Sequence, residues 1–217
     1  ASREAGDPPH VILFPEIAFD EQAFLGKVDK AVKTHGYCSI VVSEGVQDKQ
    51  GKFLSDSGVR DAFGHAQLGG VAPVIANLVK DNLGHKYHWA VSDYLQRSAR
   101  HVASKTDVDQ AYAMGKAAID LALQGKSGVM PIIERVSDEP YRWKVGEAQL
   151  SRMANREKKM PRKYISKDGM GITAAARRYL QPLIRGEDYP PYGKDGLPSY
   201  VRLKRILTPK KLEPFEP

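Results

Sequence analysis

The first eighty or so positions alternate short apolar runs with amphipathic stretches. Val11-Ile12-Leu13-Phe14 is closed by Pro15, which suits a short buried strand that stops where the backbone loses a ladder donor. Asp20 then stands at a helix N-cap position, Phe24, Val28, Ala31 and Val32 recur at helical spacing, and Gly36 supplies the stop. Ser39 to Ser43 reads as a second strand. A polar, glycine-containing loop from Glu44 to about Gly70 leads to a second helical pattern through Val74, Ile75, Leu78, Val79 and Leu83, with Gly84 as its end. His88 to Ser92 reads as a third strand. Strands alternating with helices are the mark of a parallel sheet flanked by helices, so the expected fold class is α/β.

The pattern loosens afterwards. Thr106, with Asp109 three residues on, resembles a capping box, and Ala111, Met114, Ala118 and Ala122 continue a helix to Gly125. Strand-like runs follow at Val129 to Ile133 and Tyr141 to Val145. A helical pattern from Ile172 to about Ile184 contains Pro182, which is predicted to kink or end it. From Asp188 onward Pro, Gly and charges alternate, predicting an extended segment wrapped on a surface. The chain divides on this reading into an α/β portion, 1–125, and a C-terminal segment with an extended tail, 126–217.

Composition narrows the class. With 217 residues, 41% apolar and 27% charged, and a mean hydropathy of −0.45, the chain is long and apolar enough for a core. No apolar run approaches the ~18 residues of a membrane span, so no membrane partner is expected. The opening Ala-Ser-Arg-Glu-Ala-Gly-Asp-Pro-Pro has neither an initiator Met nor the apolar run of a signal peptide, and reads as an internal position of a longer polypeptide. The single cysteine, Cys38, permits no intramolecular disulfide and no thiolate cluster for zinc, which fits a reducing, cytoplasmic compartment. Its place within Tyr37 to Val42 marks it as a packed, inert thiol.

Charge is unevenly spread. Residues 1–140 carry 15 basic and 18 acidic side chains, and residues 141–217 carry 18 and 8. The basic end invites a nucleic-acid reading, in which it would be an RNA-binding surface. No zinc-finger spacing, helix-turn-helix pattern or aromatic interleaving accompanies the charge, which is scattered from Arg152 to Lys211, so a solvated face or a surface for small anions is expected instead.

The sequence contains no GxxxxGK[ST] phosphate loop, no GxGxxG and no HExxH, and its six histidines show no metal-ligand spacing. Gly69-Gly70 reads as the turn that opens the second helix. In open parallel sheets ligands gather beyond the carboxyl ends of the strands, where polar loops and helix N-termini converge. This rule selects Glu44-Gly45 after the second strand and Asp93-Tyr94-Leu95-Gln96-Arg97 after the third. A carboxylate at Glu44 is placed to accept hydrogen bonds from sugar hydroxyls, although a loop cap or a surface ion pair would use the same position. Arg97 has the geometry to bind a phosphate dianion through two parallel bonds, and Tyr94 a phenol to donate to it. Arg100, His101 and Lys105 add positive charge nearby.

Val41-Val42-Ser43-Glu44-Gly45, Tyr94-Leu95-Gln96-Arg97 and the helix Thr106-Asp107-Val108-Asp109-Gln110-Ala111-Tyr112 together resemble the sugar-phosphate half of the phosphofructokinases. The resemblance continues through Pro140-Tyr141-Arg142-Trp143, Lys159-Met160-Pro161-Arg162, Asp168-Gly169-Met170-Gly171-Ile172-Thr173 and Gly186-Glu187-Asp188-Tyr189-Pro190-Pro191, and so covers nearly the whole chain. Tyr-Leu-Gln-Arg without the Gly-Gly that follows the matching Gln-Arg of the ATP enzymes is similar to the pyrophosphate-dependent branch. The resemblance implies a phosphofructokinase-like fold, a fructose-6-phosphate-binding portion over 1–125, and a segment over 126–217 that returns to complete the donor domain.

It also implies roles. Glu44 matches the glutamate that bonds the fructose ring hydroxyls, and Tyr94 and Arg97, with Leu95 and Gln96 between them, match the turn that holds the 6-phosphate. Lys86 or His88 matches a basic residue that reaches across a subunit boundary, so a homo-oligomer is implied. Pyrophosphate or ATP would be the donor, with Mg²⁺ as cofactor. The family's Gly-Gly-Asp donor loop, its Thr-Ile-Asp-Asn-Asp segment with the catalytic base and its Met-Gly-Arg contact do not occur here. The resemblance therefore assigns no catalytic residue and no metal ligand to this chain and places them upstream. Readings from outside this picture are an ATP-dependent phosphofructokinase and a non-catalytic, sugar-phosphate-binding regulatory subunit of the same fold.

Overall fold

The computed structural model describes residues 4–60, 66–68, 70–209, 211 and 212, with the side chains of 57–60, 66–68, 96 and 97 outside that description. Two parallel strands, β1 (Val11–Leu13) and β2 (Ile40–Val42), are joined by helix α1 (Glu21–His35), and Val11 pairs with Ile40, Ile12 with Val41 and Leu13 with Val42. Asp20 caps α1 by accepting from the Ala23 N–H at 3.0 Å. Gly36, in the left-handed region at φ 78°, ends the helix by donating its N–H to Val32. Helix α2 (Val71–Leu83) follows and ends at Gly84 in the same way.

The alternation of strand side chains decides what these elements bury. Val11 and Leu13, with Ile40 and Val42, share the core with Phe24 and Val28 of α1 and Val71, Ile75 and Val79 of α2. Val41, one position out of phase, is 52% exposed. Cys38 packs against this core, and burial pushes its thiol pKa up, against the pull of Lys27.

Two expectations in this region change. The loop after Glu44 holds a short antiparallel pair, β3 (Asp56–Arg60) and β4 (Ala66–Leu68). Asp56-Ser57-Gly58 has little strand propensity, and the pairing arises from the partner rather than from local preference. The third strand expected at His88 to Ser92 is absent: 84–92 forms no regular element and pairs with no strand among the described residues. A run with strand propensity becomes a strand only where a neighbour completes its ladder.

Helix α3 (Leu95–Ser98) is one turn long and runs into a 3-10 turn, Arg100–Val102. Helix α4 (Lys105–Leu123) is capped by Ser104, which accepts from the Asp107 N–H at 3.2 Å, and not by Thr106. Thr106 donates its hydroxyl to Pro182 O at 2.9 Å instead, so a tertiary partner takes the group that local pattern assigned to capping. An antiparallel hairpin follows, β5 (Val129–Asp138) and β6 (Tyr141–Gln149), against which α4 packs. Gln110, buried on α4, donates to Tyr141 Oη at 2.6 Å. After α5 (Leu150–Met153) comes α6 (Ala174–Leu180), capped by Thr173, and Pro182 lies in the 3-10 turn Gln181–Ile184 that ends the helical stretch. Arg135 of β5 lies between the rings of Tyr141 and Tyr179, 4.8 and 4.5 Å from their centroids, and donates to Tyr179 O at the end of α6. Residues 199–209 form no regular element and expose Val201, Leu203 and Ile206.

Candidate functional site

Parallel pairing puts the carboxyl ends of β1 and β2 at one edge of the sheet, and each strand is followed there by a glutamate. Glu44, two residues beyond β2, is exposed. The turn that carries it lies against the end of β1, because a Cβ on Gly45 would stand 3.1 Å from Pro15 Cβ. Glycine lets the two strand ends meet this closely. Glu16, three residues beyond β1, accepts the Met160 N–H at 2.7 Å on Oε1, while its Oε2 is buried without a hydrogen-bond partner among the described residues. Glu16 was missed in the reading of the sequence, although the rule that selects Glu44 applies equally to it.

An open groove of about 1040 Å³ runs between β2, α2 and the segment that follows α2. Glu44, Lys86, His88 and Asp93 are among its lining residues, together with apolar side chains such as Ile75 and Val91. The chain thus brings Glu44 to the same groove as both basic alternatives, Lys86 and His88. His85 also lines it, with its Nε2 buried and unpartnered among the described residues. Tyr87 ties the segment to α2 through a hydrogen bond with Asn77 Oδ1 at 3.1 Å.

The turn with the proposed phosphate ligands begins where the groove lining stops. Asp93 has φ 44°, a left-handed conformation that Asp tolerates better than most residues, and it redirects the chain into Tyr94. Tyr94 and Leu95 are 63% and 65% exposed. The side chains of Gln96 and Arg97 lie outside the described residues. Of the three basic groups noted beyond them, two are already engaged. Arg100 pairs with Asp188 at 2.9 Å and Lys105 with Asp109 at 2.9 Å. The positive cluster expected from the sequence is therefore partly neutralised, and His101 remains exposed.

Among the described residues no three His, Cys, Asp or Glu side chains are grouped to hold a metal ion, and no helix is long and apolar enough to cross a membrane.

A short parallel sheet with glutamates at its carboxyl edge, helices packed on it and a groove opening beside them make an α/β architecture of the phosphofructokinase type. Comparison with known proteins makes the relation specific. No family model matches the chain. It is 62% identical over 212 residues to a pyrophosphate–fructose 6-phosphate 1-phosphotransferase of Methylococcus capsulatus, which covers 98% of this chain and 50% of the relative. It is 57% identical over 216 residues to the protein of that name from Halomonas elongata, across all of this chain and 51% of the relative. The crystal structure of a pyrophosphate-dependent phosphofructokinase from Nitrosospira multiformis superposes with a TM-score of 0.78 at 62% identity, over 96% of this chain and 48% of that one. The chain belongs to the phosphofructokinase family, and the relatives and the structure it matches are named as pyrophosphate-dependent members. It spans about half the length of the curated relatives it matches.

Proposed function

We propose that this chain supplies the acceptor-binding part of a pyrophosphate-dependent 6-phosphofructokinase. In the reaction, O1 of fructose 6-phosphate attacks a phosphoryl group of pyrophosphate, and the products are fructose 1,6-bisphosphate and phosphate. The observation that carries this reading is identity of 57–62% over the full chain to relatives whose names state that chemistry. Phosphoryl transfer is mainly positioning and charge neutralisation. Glu44 accepts hydrogen bonds from the sugar hydroxyls, Tyr94 and Arg97 hold the 6-phosphate with Leu95 and Gln96 shaping the turn, and Lys86 or His88 is the basic residue that reaches across a subunit boundary. The catalytic base, the donor loop and the magnesium belong to the half of the enzyme that this chain does not span. Residues 1–125 serve as the acceptor portion and 126–217 return to the donor domain, within a cytoplasmic homo-oligomer.

The test uses a full-length chimera in which this chain replaces its matching half of the Methylococcus capsulatus relative. Arg97→Ala removes a charge-assisted contact and is expected to raise the fructose 6-phosphate KM about 10- to 150-fold. Most of that effect should vanish with fructose as acceptor. Glu44→Gln should impair both acceptors alike. A folded Arg97→Ala chimera with unchanged kinetics overturns the phosphate site. A higher kcat/KM with ATP than with pyrophosphate would change the donor and leave the sugar contacts in place. The 217-residue chain alone is expected to show no phosphotransfer with either donor.

A further inference from the structure

The turn that carries Tyr94 to Arg97 has little apolar anchoring. Tyr94, Leu95 and Val102 are 63%, 65% and 73% exposed, and neither α3 nor the following 3-10 turn buries a side chain among those described. Backbone bonds hold the turn together internally: Ala99 N–H donates to Leu95 O at 2.9 Å and Val102 N–H to Ala99 O at 3.0 Å. Such bonds fix its shape, and its place in the molecule depends on contacts made outside it. A segment whose described side chains are largely exposed depends more on directional polar ties for its position.

One set of such ties comes from the far end of the chain. Arg100 donates through one guanidinium nitrogen to the Asp188 carboxylate at 2.9 Å and through the other to the Asp188 backbone carbonyl. Both side chains are about two-thirds buried, with 34% and 33% exposed. The contact continues as a seam. Ser104 Oγ donates to Leu183 O at 2.6 Å, Thr106 Oγ1 to Pro182 O at 2.9 Å, and Lys105 N–H to Gly186 O at 3.2 Å. Gly186 sits at φ 79°, and a Cβ there would come within 2.8 Å of Lys105 Cβ, so the two strands of chain touch. Residues 182–188 thus grip 100–106, and Asp188 extends the grip to within three residues of Arg97.

We propose that Asp188 is a positioning residue for the acceptor phosphate: through Arg100 it holds the 94–102 turn where its ligands meet the 6-phosphate. This rests on the assignment of that turn to phosphate binding. A double donation to one residue, side chain and backbone together, defines the direction as well as the distance of the guanidinium. A displacement of about 1 Å is enough to cost a well-placed contact up to 10²-fold in rate. The Gly186-Glu187-Asp188 motif then has a function beyond its own loop. Asp188 touches neither substrate nor reacting atoms; it acts by fixing the turn that does.

The experiment uses the same full-length chimera, with Arg97→Ala measured alongside. Asp188→Asn is expected to raise the fructose 6-phosphate KM about 5- to 30-fold, leave kcat and the pyrophosphate KM within about twofold, and speed amide exchange over residues 94–103. Asp188→Glu should restore much of the KM. Arg100→Gln should reproduce the Asp188→Asn effect, and the double variant should be no worse than either single one, because both break the same tie. An unchanged fructose 6-phosphate KM in Asp188→Asn, while Arg97→Ala still raises it, refutes the positioning role and spares the site. Equal losses in kcat and in both KM values mean a general structural role and also refute it. A lowered KM would mean that Asp188 restrains Arg100 from the anion, the opposite of positioning. If Arg97→Ala itself has no effect, the phosphate assignment fails and this proposal falls with it. Should Asp188→Asn fail to fold, Arg100→Gln alone carries the same comparison.

Discussion

The two ends of this molecule hold themselves together by different means. Between Val11 and Val79 the described buried hydrophobic side chains are Val, Leu, Ile, Phe and Ala from β1, α1, α2 and the turns after β1 and β2, with Phe24 and Val11 fully enclosed. Beyond residue 84 the described buried hydrophobics are Ile165 and Ala176, while Tyr112, Ile119 and Leu123 of α4 stand 77%, 62% and 82% exposed. That second region is stitched by directional bonds: Gln110 to Tyr141, Arg135 between two tyrosines, and the seam from 100–106 to 182–188. Apolar burial tolerates small displacements because it is non-directional, whereas a hydrogen-bonded seam loses its partners when the backbone shifts. Substitutions in the first region should therefore be read mainly as stability, and those in the second mainly as local geometry.

The largest expected effect lies in the apolar region. Phe24→Ala should cost about 3–5 kcal/mol, a large share of the total stability of an ordinary domain. Ile119→Ala on α4 should stay within about 0.5 kcal/mol. Denaturant midpoints of the two variants measure the contrast directly, and comparable losses would erase the distinction between the regions.

Gly186→Ala probes the seam. A side chain there combines a left-handed backbone with the 2.8 Å approach to Lys105 Cβ, so a loss of about 1–2 kcal/mol is expected. Amide exchange should accelerate at 104–106 before it does in β1 or β2. Uniform acceleration would show that the two regions unfold as one.

Asp168 joins the regions and makes their contact pH-dependent. Partial burial pushes its carboxyl pKa up, but hydrogen bonds from Lys27, Ser166 and the Met170 N–H outweigh this and bring it down to about 2. Lys27 of α1 pairs with it at 2.6 Å and also donates to Met170 O at 2.9 Å. A folded-state value below the unfolded 3.8 stabilises the protein above about pH 4, and that contribution is lost as the pH falls toward 2. Asp168 is 49% exposed, so screening limits the contribution to about 1 kcal/mol or less. Asp168→Asn should lower the melting temperature at pH 7 and flatten its decline between about pH 4 and pH 2. An unchanged acid profile would remove Asp168 from this role.

The smallest effect is expected on the outer face of α1. Lys33→Ala breaks an exposed pair with Asp29, four residues before it, and should change stability by no more than about 0.5 kcal/mol. A thermal melt resolves whether such pairs matter beside the enclosed core.

What the sequence determined is the self-contained part. Helices α1 and α2, their glycine stops, the Asp20 cap and the buried Phe24, Val28, Ala31, Ile75 and Val79 follow from local periodicity and capping, because each signal acts within a few residues, whereas Val74, on the expected apolar stripe of α2, is 41% exposed. Glu44 at the carboxyl edge was legible for the same reason, since a strand end is local information. The tertiary structure decided the rest. It paired Asp56-Ser57-Gly58, left His88 to Ser92 unpaired, moved the α4 cap from Thr106 to Ser104, and turned Arg100 from a free cation into the partner of Asp188. Each of these depends on a neighbour far away in the chain. A hydrogen bond's partner is chosen by the three-dimensional path of the backbone, which no local run of residues specifies.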